Sequence, residues 1–185
     1  MSTDTITLPK AGTYTVDPAH AEAGFVARHL IGTKVRGRFT EFSGTFTVAE
    51  NPEDSTFEAE AKVASIDTNQ SMRDDHLRTN DFFDAENHPT ITIKSTGLKK
   101  VTDTHWKLFA DLTVRGVTKP VEFDLEYLGE GAAMQEGKSV VAFSAVGEID
   151  RRDFGVTFNH ALLDGSVVVG NKVKIELEVE AGLAE

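Results

Sequence analysis

The sequence predicts an all-β protein, a closed antiparallel barrel of seven or eight strands with a short helical insertion around residues 68–84. Apolar and polar residues alternate with period two along most of the chain, which is the pattern of strands with one buried face. Glycine, proline and asparagine turn signals separate these runs at regular intervals. Because a closed barrel has no free strand edges, it is the arrangement that best protects so many amphipathic strands.

Seven alternating runs are predicted as strands. They cover residues 42–48, 57–63, 90–94, 105–114, 121–127, 140–149 and 173–180. The longest apolar face consists of Trp106, Leu108, Ala110, Leu112 and Val114. These runs supply the inward face of the predicted barrel.

The clearest helical candidate is the stretch TNQSMRDDHLRT, residues 68–79. Thr68 or Asn69 can cap it, because a side-chain oxygen there accepts a bond from a free backbone N–H. Asp74 and Arg78 are four residues apart and can pair on its surface. A second short turn is expected through residues 81–84.

The stretch GVTKP, residues 116–120, is predicted as the turn between two strands. Proline donates no backbone hydrogen bond and is confined to strand beginnings and sheet edges. Pro120 is therefore expected at the first position of the strand that continues from Val121.

The inward faces mix large and small residues, as Phe46 and Phe143 do with Gly44 and Ala61. Small inward residues leave room for a ligand, but interdigitated packing produces the same mixture. The pattern leaves a hollow barrel and a filled one both open.

Composition and the N-terminal residues exclude several classes of protein. The chain has 185 residues, a length typical of one domain, and no cysteine, which excludes disulfides and thiolate sites. Its net charge of −11 disfavours binding to nucleic acids and anionic lipid faces. The N-terminal residues do not read as a signal peptide and no run of 18 apolar residues occurs, so we expect a cytoplasmic protein without a membrane span, or a periplasmic or secreted one if a leader was removed.

Four motifs occur in a characteristic order and spacing. They are FVARHLIGTKVRGRFTEFSGTF (residues 25–46), NQSMRDDHLRTNDFFDAENHPTITI (69–93), ADLTVRGVTKPVEFDLEY (110–127) and EIDRRDFGVTFN (148–159). With these motifs the chain resembles the YceI-like family of polyisoprenoid-binding proteins, from about residue 14 to residue 179.

The resemblance implies a lipocalin-like eight-stranded barrel domain over residues 14–181, after an N-terminal extension of residues 1–13. It implies that a long isoprenoid lipid, either a polyprenyl phosphate or an isoprenoid quinone, is bound, stored or carried inside the barrel. It implies no catalytic residue, cofactor or bound metal. Many family members carry a secretion signal, which we do not expect from these N-terminal residues.

The predicted ligand-binding residues combine inward strand positions with residues of the four motifs. They are Phe25, His29, Val35, Phe39, Phe42, Phe46, Ala61, Met72, Arg73, His76, Leu77, Phe82, Phe83, Ile91, Ile93, Trp106, Leu108, Leu112, Phe143, Arg152 and Phe154.

Several of these residues have a structural interpretation as well. Arg73 and His76 either face a lipid head group or tie the helix to the sheet, and Arg152 either anchors a phosphate or pairs with Asp150 or Asp153. An alternative function is an enzyme that acts on a hydrophobic substrate with His29 or His76 as the acid–base group.

The spacing of the histidines matches no metal motif. Phe109 and Tyr14, which are expected on outer faces, are compatible with a homodimer.

Overall fold

The structure is a computed structural model that describes residues 7–30 and 32–184. Its strands form one antiparallel sheet that closes on itself, because the last strand pairs with the first. The described elements are β1 (Gly12–His29), β2 (Thr33–Phe39), β3 (Phe42–Val48), β4 (Thr56–Lys62), β5 (Ile66–Asp67), α1 (Ser71–Leu77), β6 (Thr90–Lys100), β7 (His105–Val114), β8 (Val117–Ala132), β9 (Ser139–Asp150) and β10 (Lys172–Leu183).

The ten strand segments build a closed barrel of eight strands. The first half of β1 pairs with β3 and its second half with β2, so β2 and β3 lie end to end. β4 and β5 follow them in the same way, against β3 and β2. Each of these two pairs therefore acts as one interrupted strand, and the predicted fold class is confirmed.

β1 contains an irregularity that the alternation pattern did not predict. Its register against β10 shifts between Val16 and Ala21. Before the shift Tyr14 and Val16 are buried, whereas after it Ala23 is buried and Phe25 points into the barrel. The inward positions change from even to odd numbers at this shift. The sequence of β1 therefore shows no continuous alternation, and the strand was not predicted.

β7 has the predicted faces. Its five inward apolar residues are at most 6% exposed, whereas Phe109 on the outside is 39% exposed. The Phe109 ring lies across from Gly97 of β6. Tyr14, in contrast, is buried and stacks on Phe46 at 5.0 Å, so its predicted outward position is wrong.

The turn between β7 and β8 is shorter than predicted. Arg115 and Gly116 both have positive φ angles, 51° and 74°, which is the geometry of a two-residue type I′ turn. Pro120 therefore lies inside β8, opposite Asp111, and not at its start. β9 pairs with β8 only from Phe123 onward, so Pro120 occupies a stretch with a strand partner on one side only.

α1 is shorter than the predicted helix, and a buried carboxylate on the helix binds the residues that precede it. Its N-cap residue is Gln70, which makes no side-chain cap. The backbone N–H and hydroxyl of Thr68 instead donate to the buried Asp74 carboxylate. Asp74 is therefore not the surface partner of Arg78, which pairs with Asp75 at 3.0 Å.

Irregular segments close the two ends of the barrel differently. Residues 68–89 and 151–171 lie at the end where β6 and β10 begin. The Arg115 guanidinium fastens the first of them by donating to the carbonyls of Asn80 and Phe82. Residues 7–11 and the 3-10 turn Pro52–Asp54 flank the other end, while residues 1–6 of the predicted extension lie outside the described part of the chain. Within the described ranges no helix is long and apolar enough to cross a membrane.

Candidate functional site

The barrel interior contains two cavities, one toward each end. Cavity 1 has a volume of about 370 Å³ and lies at the end flanked by residues 7–11. Its walls are mainly aromatic and aliphatic, and its aromatic residues are Phe46, Phe57, Trp106, Tyr127 and Phe143. Its polar residues include Glu50, Ser55 and Thr56, close to the turn before β4.

Cavity 2 has a volume of about 160 Å³ and lies under the segments 68–89 and 151–171. Seven phenylalanines line it: Phe25, Phe39, Phe42, Phe82, Phe83, Phe123 and Phe154. Its walls expose almost no polar surface. The sequence left open whether the barrel is hollow or filled. The structure shows that it is hollow in two separate parts.

A layer of packed side chains separates the two cavities. Leu177 lines both of them, and next to it the fully buried Phe123 borders cavity 2. The Phe123 ring lies on Gly147, where an added Cβ would approach the ring to 2.8 Å. Glycine at this position therefore lets the Phe123 ring lie across the barrel interior.

Tyr127 in cavity 1 carries a buried hydroxyl without a partner. The residue is 2% exposed, and its oxygen makes no hydrogen bond within the described chain. Burial raises the pKa of this phenol, and the nearby Glu130 raises it further, so the hydroxyl stays protonated. Leaving such a donor unpaired costs about 1–3 kcal/mol, which marks it as a polar group that lacks its partner.

Arg151 is the one cation on the described walls of either cavity, and its guanidinium is already occupied. It donates to four backbone carbonyls, those of Val156, Phe158, Val169 and Gly170, at 2.8 to 3.3 Å. The side chain is 6% exposed, and burial lowers the pKa of the guanidinium. Arg151 therefore ties the closing segment together and offers little to a ligand.

Fifteen of the 21 predicted ligand-binding residues line a cavity. Cavity 1 includes Phe46, Trp106, Leu108 and Phe143. Cavity 2 includes Phe25, Phe39, Phe42, Ala61, Leu77, Phe82, Phe83, Ile91, Ile93, Leu112 and Phe154. The two sets share the barrel interior but are not brought together at one point.

The two histidines and Met72 of the predicted set line neither cavity. His29 is exposed where β1 bridges Val169. The His76 ring bonds Asp81 at 2.8 Å and packs edge-on against Phe82. Met72 is 82% exposed on α1. The structure thus favours the structural interpretation of His76, and no histidine is among the described lining residues of the two cavities.

The remaining three predicted residues also lie away from both cavities. Arg73 donates to the side chain and backbone of Thr68. Arg152 pairs with Asp150 at 2.7 Å on the outside. Val35 pairs with Ala27 across β1 and β2, yet only Ala27 reaches cavity 2. Arg73 therefore supports the backbone before α1, and Arg152 pairs with the carboxylate that precedes it by two residues.

Some cavity residues were not singled out by the sequence. Leu8 and Pro9 precede the first strand, and Tyr127 and Leu177 sit in alternating runs that gave no sign of a special role. The alternation identified the inward face of Tyr127 and Leu177, but the missing partner of a hydroxyl is visible only in three dimensions. In the described ranges no three histidine or carboxylate residues converge as a metal site.

Comparison with known proteins gives consistent matches over nearly the whole chain. The family described as "YceI-like domain" matches residues 14–181. UPF0312 protein SA2479 of Staphylococcus aureus strain N315 is 34% identical over 174 residues, which cover 93% of this chain and 98% of that protein.

Two solved structures have a similar fold. BcnA of Burkholderia cenocepacia has a TM-score of 0.78 at 22% identity, with 89% of this chain and 98% of that chain covered. A polyisoprenoid binding domain from Saccharophagus degradans, implicated in plant cell wall breakdown, has a TM-score of 0.64 at 13% identity, with 95% and 100% covered. At these identities the two structures support the barrel architecture alone.

Proposed function

The chain belongs to the YceI-like family, and we propose that it binds an isoprenoid lipid with an uncharged head group, an isoprenoid quinone, inside its barrel. The protein would store or carry this lipid without converting it chemically. The description of the Saccharophagus degradans domain as polyisoprenoid binding supports the class of ligand. The head group is argued from the cavities themselves.

The observation that carries the proposal is an apolar interior without an available cation. Cavity 1 has no Lys, Arg or His among its described lining residues, and its polar rim includes Glu50. Cavity 2 has only Arg151, which four carbonyls occupy. A buried phosphate needs arginine, lysine or several free N–H groups, because an unpaired buried charge is strongly unfavourable. A quinone has no such requirement.

The two volumes suggest how the lipid lies. Small-molecule sites usually measure about 300–1,000 Å³, a range that includes cavity 1 but not cavity 2. The head and the first prenyl units therefore fit cavity 1, and a longer tail has to pass Leu177 to enter cavity 2. Each CH₂ group moved from water into either cavity contributes about 0.8 kcal/mol.

Tyr127 is the residue that would orient the head group. Its buried hydroxyl is a donor without an acceptor, and a quinone carbonyl is an acceptor without a donor. A hydrogen bond between them would remove the penalty of the unpaired phenol.

The proposal is tested with protein purified from its own host and extracted with organic solvent. Mass spectrometry of the extract is expected to detect an isoprenoid quinone. Empty protein is then offered a quinone and a polyprenyl phosphate with tails of equal length. Preference for the phosphate would overturn the head-group assignment, and failure to bind either would overturn the proposed function.

Tyr127→Phe is expected to weaken quinone binding about five- to tenfold, the value of one neutral hydrogen bond. The substitution removes only the hydroxyl, so binding of an isoprenoid hydrocarbon such as squalene should stay the same. The empty variant should be as stable as wild type or more stable, since no hydrogen bond is lost. Titration with both ligands and urea unfolding measure the two effects.

Tyr14→Phe is the matched control for this substitution. The Tyr14 hydroxyl already donates to the Lys10 carbonyl at 2.9 Å, so its removal costs stability and leaves quinone and squalene affinities in the same ratio. An equal change in that ratio for both variants would contradict the role of Tyr127.

Leu177→Ala is expected to connect the two cavities. Quinone affinity in wild type should rise with tail length and level off where the tail meets Leu177, and the variant should move this plateau to longer tails. Its loss of stability should lie near the lower end of the usual range of about 2–5 kcal/mol, because cavities already flank the side chain. An unchanged plateau in a quinone series would show that tails do not cross this layer.

A further inference from the structure

The net charge of the chain is unevenly distributed over its surface. A groove of about 400 Å³ runs along the outside of β1, β2, β9 and β10. Among its lining residues five are cationic, Arg28, Lys34, Arg36, Lys172 and Lys174, and two are anionic, Glu148 and Glu176. This basic groove has a net charge of +3, in a chain whose total is −11.

Only part of this positive charge is neutralised within the protein. Arg36 and Lys174 both pair with Glu176, at 3.6 and 3.1 Å. Arg28, Lys34 and Lys172 have no ion-pair partner within 4.0 Å in the described ranges. The Arg28 guanidinium also donates to the Gly32 carbonyl at 3.0 Å, which does not neutralise its charge, so the positive charge of all three side chains can attract an anionic partner.

Exposed apolar residues lie beside the basic groove. Residues 159–169 form a small hairpin, closed by the bridge between Ala161 and Val167, and we call it the leucine loop. At its tip Leu163 is fully exposed and Leu162 is 39% exposed. Leu30, 40% exposed in the neighbouring β1–β2 turn, belongs to the same apolar region.

Backbone hydrogen bonds fix the leucine loop against the strand that borders the groove. The Leu30 N–H donates to the Val168 carbonyl at 2.8 Å, and the Gly170 N–H donates to the Arg28 carbonyl at 2.9 Å. Charged and apolar residues are therefore presented together at the end of the barrel near cavity 2.

We propose that the basic groove and the leucine loop form a docking surface for an anionic lipid bilayer. Cationic residues attract anionic head groups at close range, and exposed leucines enter the boundary between head groups and acyl chains. Charge alone suits both an anionic bilayer and the acidic surface of a second copy, but the exposed leucines beside the cations favour the bilayer, whose head-group boundary accepts apolar side chains. The inference goes beyond lipid binding in the cavities, because it concerns the outer surface of the barrel at the end near cavity 2.

The test measures binding of the empty protein to phosphatidylcholine vesicles with and without phosphatidylglycerol by co-sedimentation. Binding is expected only with the anionic lipid, and it should weaken as salt rises. Lys34→Gln with Lys172→Gln should weaken it about 30-fold, since each lysine near an anionic surface contributes about fivefold. Leu163→Ser should weaken it about tenfold.

Matched controls carry the same chemical change elsewhere. Lys99 and Lys119 are exposed and lie outside the groove, so Lys99→Gln with Lys119→Gln should keep binding near wild type. Leu128, 53% exposed on β8, serves in the same way through Leu128→Ser.

Equal losses in the groove and control variants would overturn the proposal, as would equal binding to both vesicle types. Self-association without vesicles that depends on Lys34, Lys172 or Leu163 would overturn it too, by assigning the surface to a second copy. Quinone uptake from detergent solution is measured separately. Vesicle binding without quinone uptake would overturn the proposed function but not the docking proposal. Quinone uptake without vesicle binding would overturn only the docking proposal.

Discussion

Ala145→Trp should abolish quinone binding while the barrel still folds. Ala145 is 5% exposed on β9 and lines cavity 1, so an indole ring there would occupy the space assigned to the head and first prenyl units. Excluding four CH₂ groups at about 0.8 kcal/mol each weakens binding more than about 100-fold. The cost to stability should stay near about 1–3 kcal/mol, because the ring enters space that is already empty.

Ser144→Trp is the control for the blocking substitution. Ser144 is the preceding residue on β9, and its side chain lies on the other face, opposite Glu126 and Glu178. This variant should bind quinone as wild type does. Ala61→Trp, in cavity 2, should leave the binding of short-tailed quinones unchanged and weaken only the binding of long-tailed ones. Full quinone uptake by Ala145→Trp, with circular dichroism unchanged, would place the lipid outside the barrel.

Arg151→Met should lower the free energy of unfolding by about 3–5 kcal/mol, the usual result when one member of a buried polar network is removed. The methionine keeps an apolar stem but leaves four carbonyls without their donor. Arg151→Lys should not restore stability, since a single ammonium cannot span acceptors that a planar guanidinium reaches. Urea unfolding gives the energy, and hydrogen exchange of residues 156–170 locates it.

Arg152→Met provides the comparison from the adjacent position. The Arg152 guanidinium is exposed and pairs with Asp150, which holds the pKa of that carboxyl well below its usual range. An exposed pair of this kind contributes little to stability, because solvent screens it, so this variant should unfold at nearly the same urea concentration as wild type. Similar losses for the two variants would show that the buried carbonyl contacts of Arg151 do not stabilise the closing segment.

The sequence predicted the strands wherever the alternation is continuous. β7 is the clearest case, because its inward residues from Trp106 to Val114 keep one parity throughout. β1 was not predicted as a strand, because the register shift after Val16 moves its inward positions from even to odd numbers. Period-two patterns report a face only while the pleat is regular.

The sequence predicted which apolar residues line the barrel interior, but not that they are divided between two cavities. Inward phenylalanines such as Phe42 and Phe46 followed from the faces of their strands, yet they lie in different cavities. The partition depends on how Phe123 fills the space above Gly147, a matter of packing volume that alternation does not encode.

The two arginines at 151 and 152 illustrate the same limit for charges. They are neighbours of one type in one motif, and only the backbone path of residues 156–170 decides which of them is buried. The net charge of −11 likewise does not predict how charge is distributed over the surface, because the basic groove has the opposite sign.

The eight strands of the barrel make eight pairings, and one of them, between β1 and β10, is remote in the chain, whereas the other seven join consecutive strands. Tyr14 meets Leu183 across it, and the Ala184 N–H donates to the Thr13 carbonyl. Contacts between consecutive strands form after short loop closures, but this one requires nearly the whole chain to return to its beginning. The ring should therefore close last during folding, and until then β1 and β10 remain open edges to which a second nascent molecule can add its own strand.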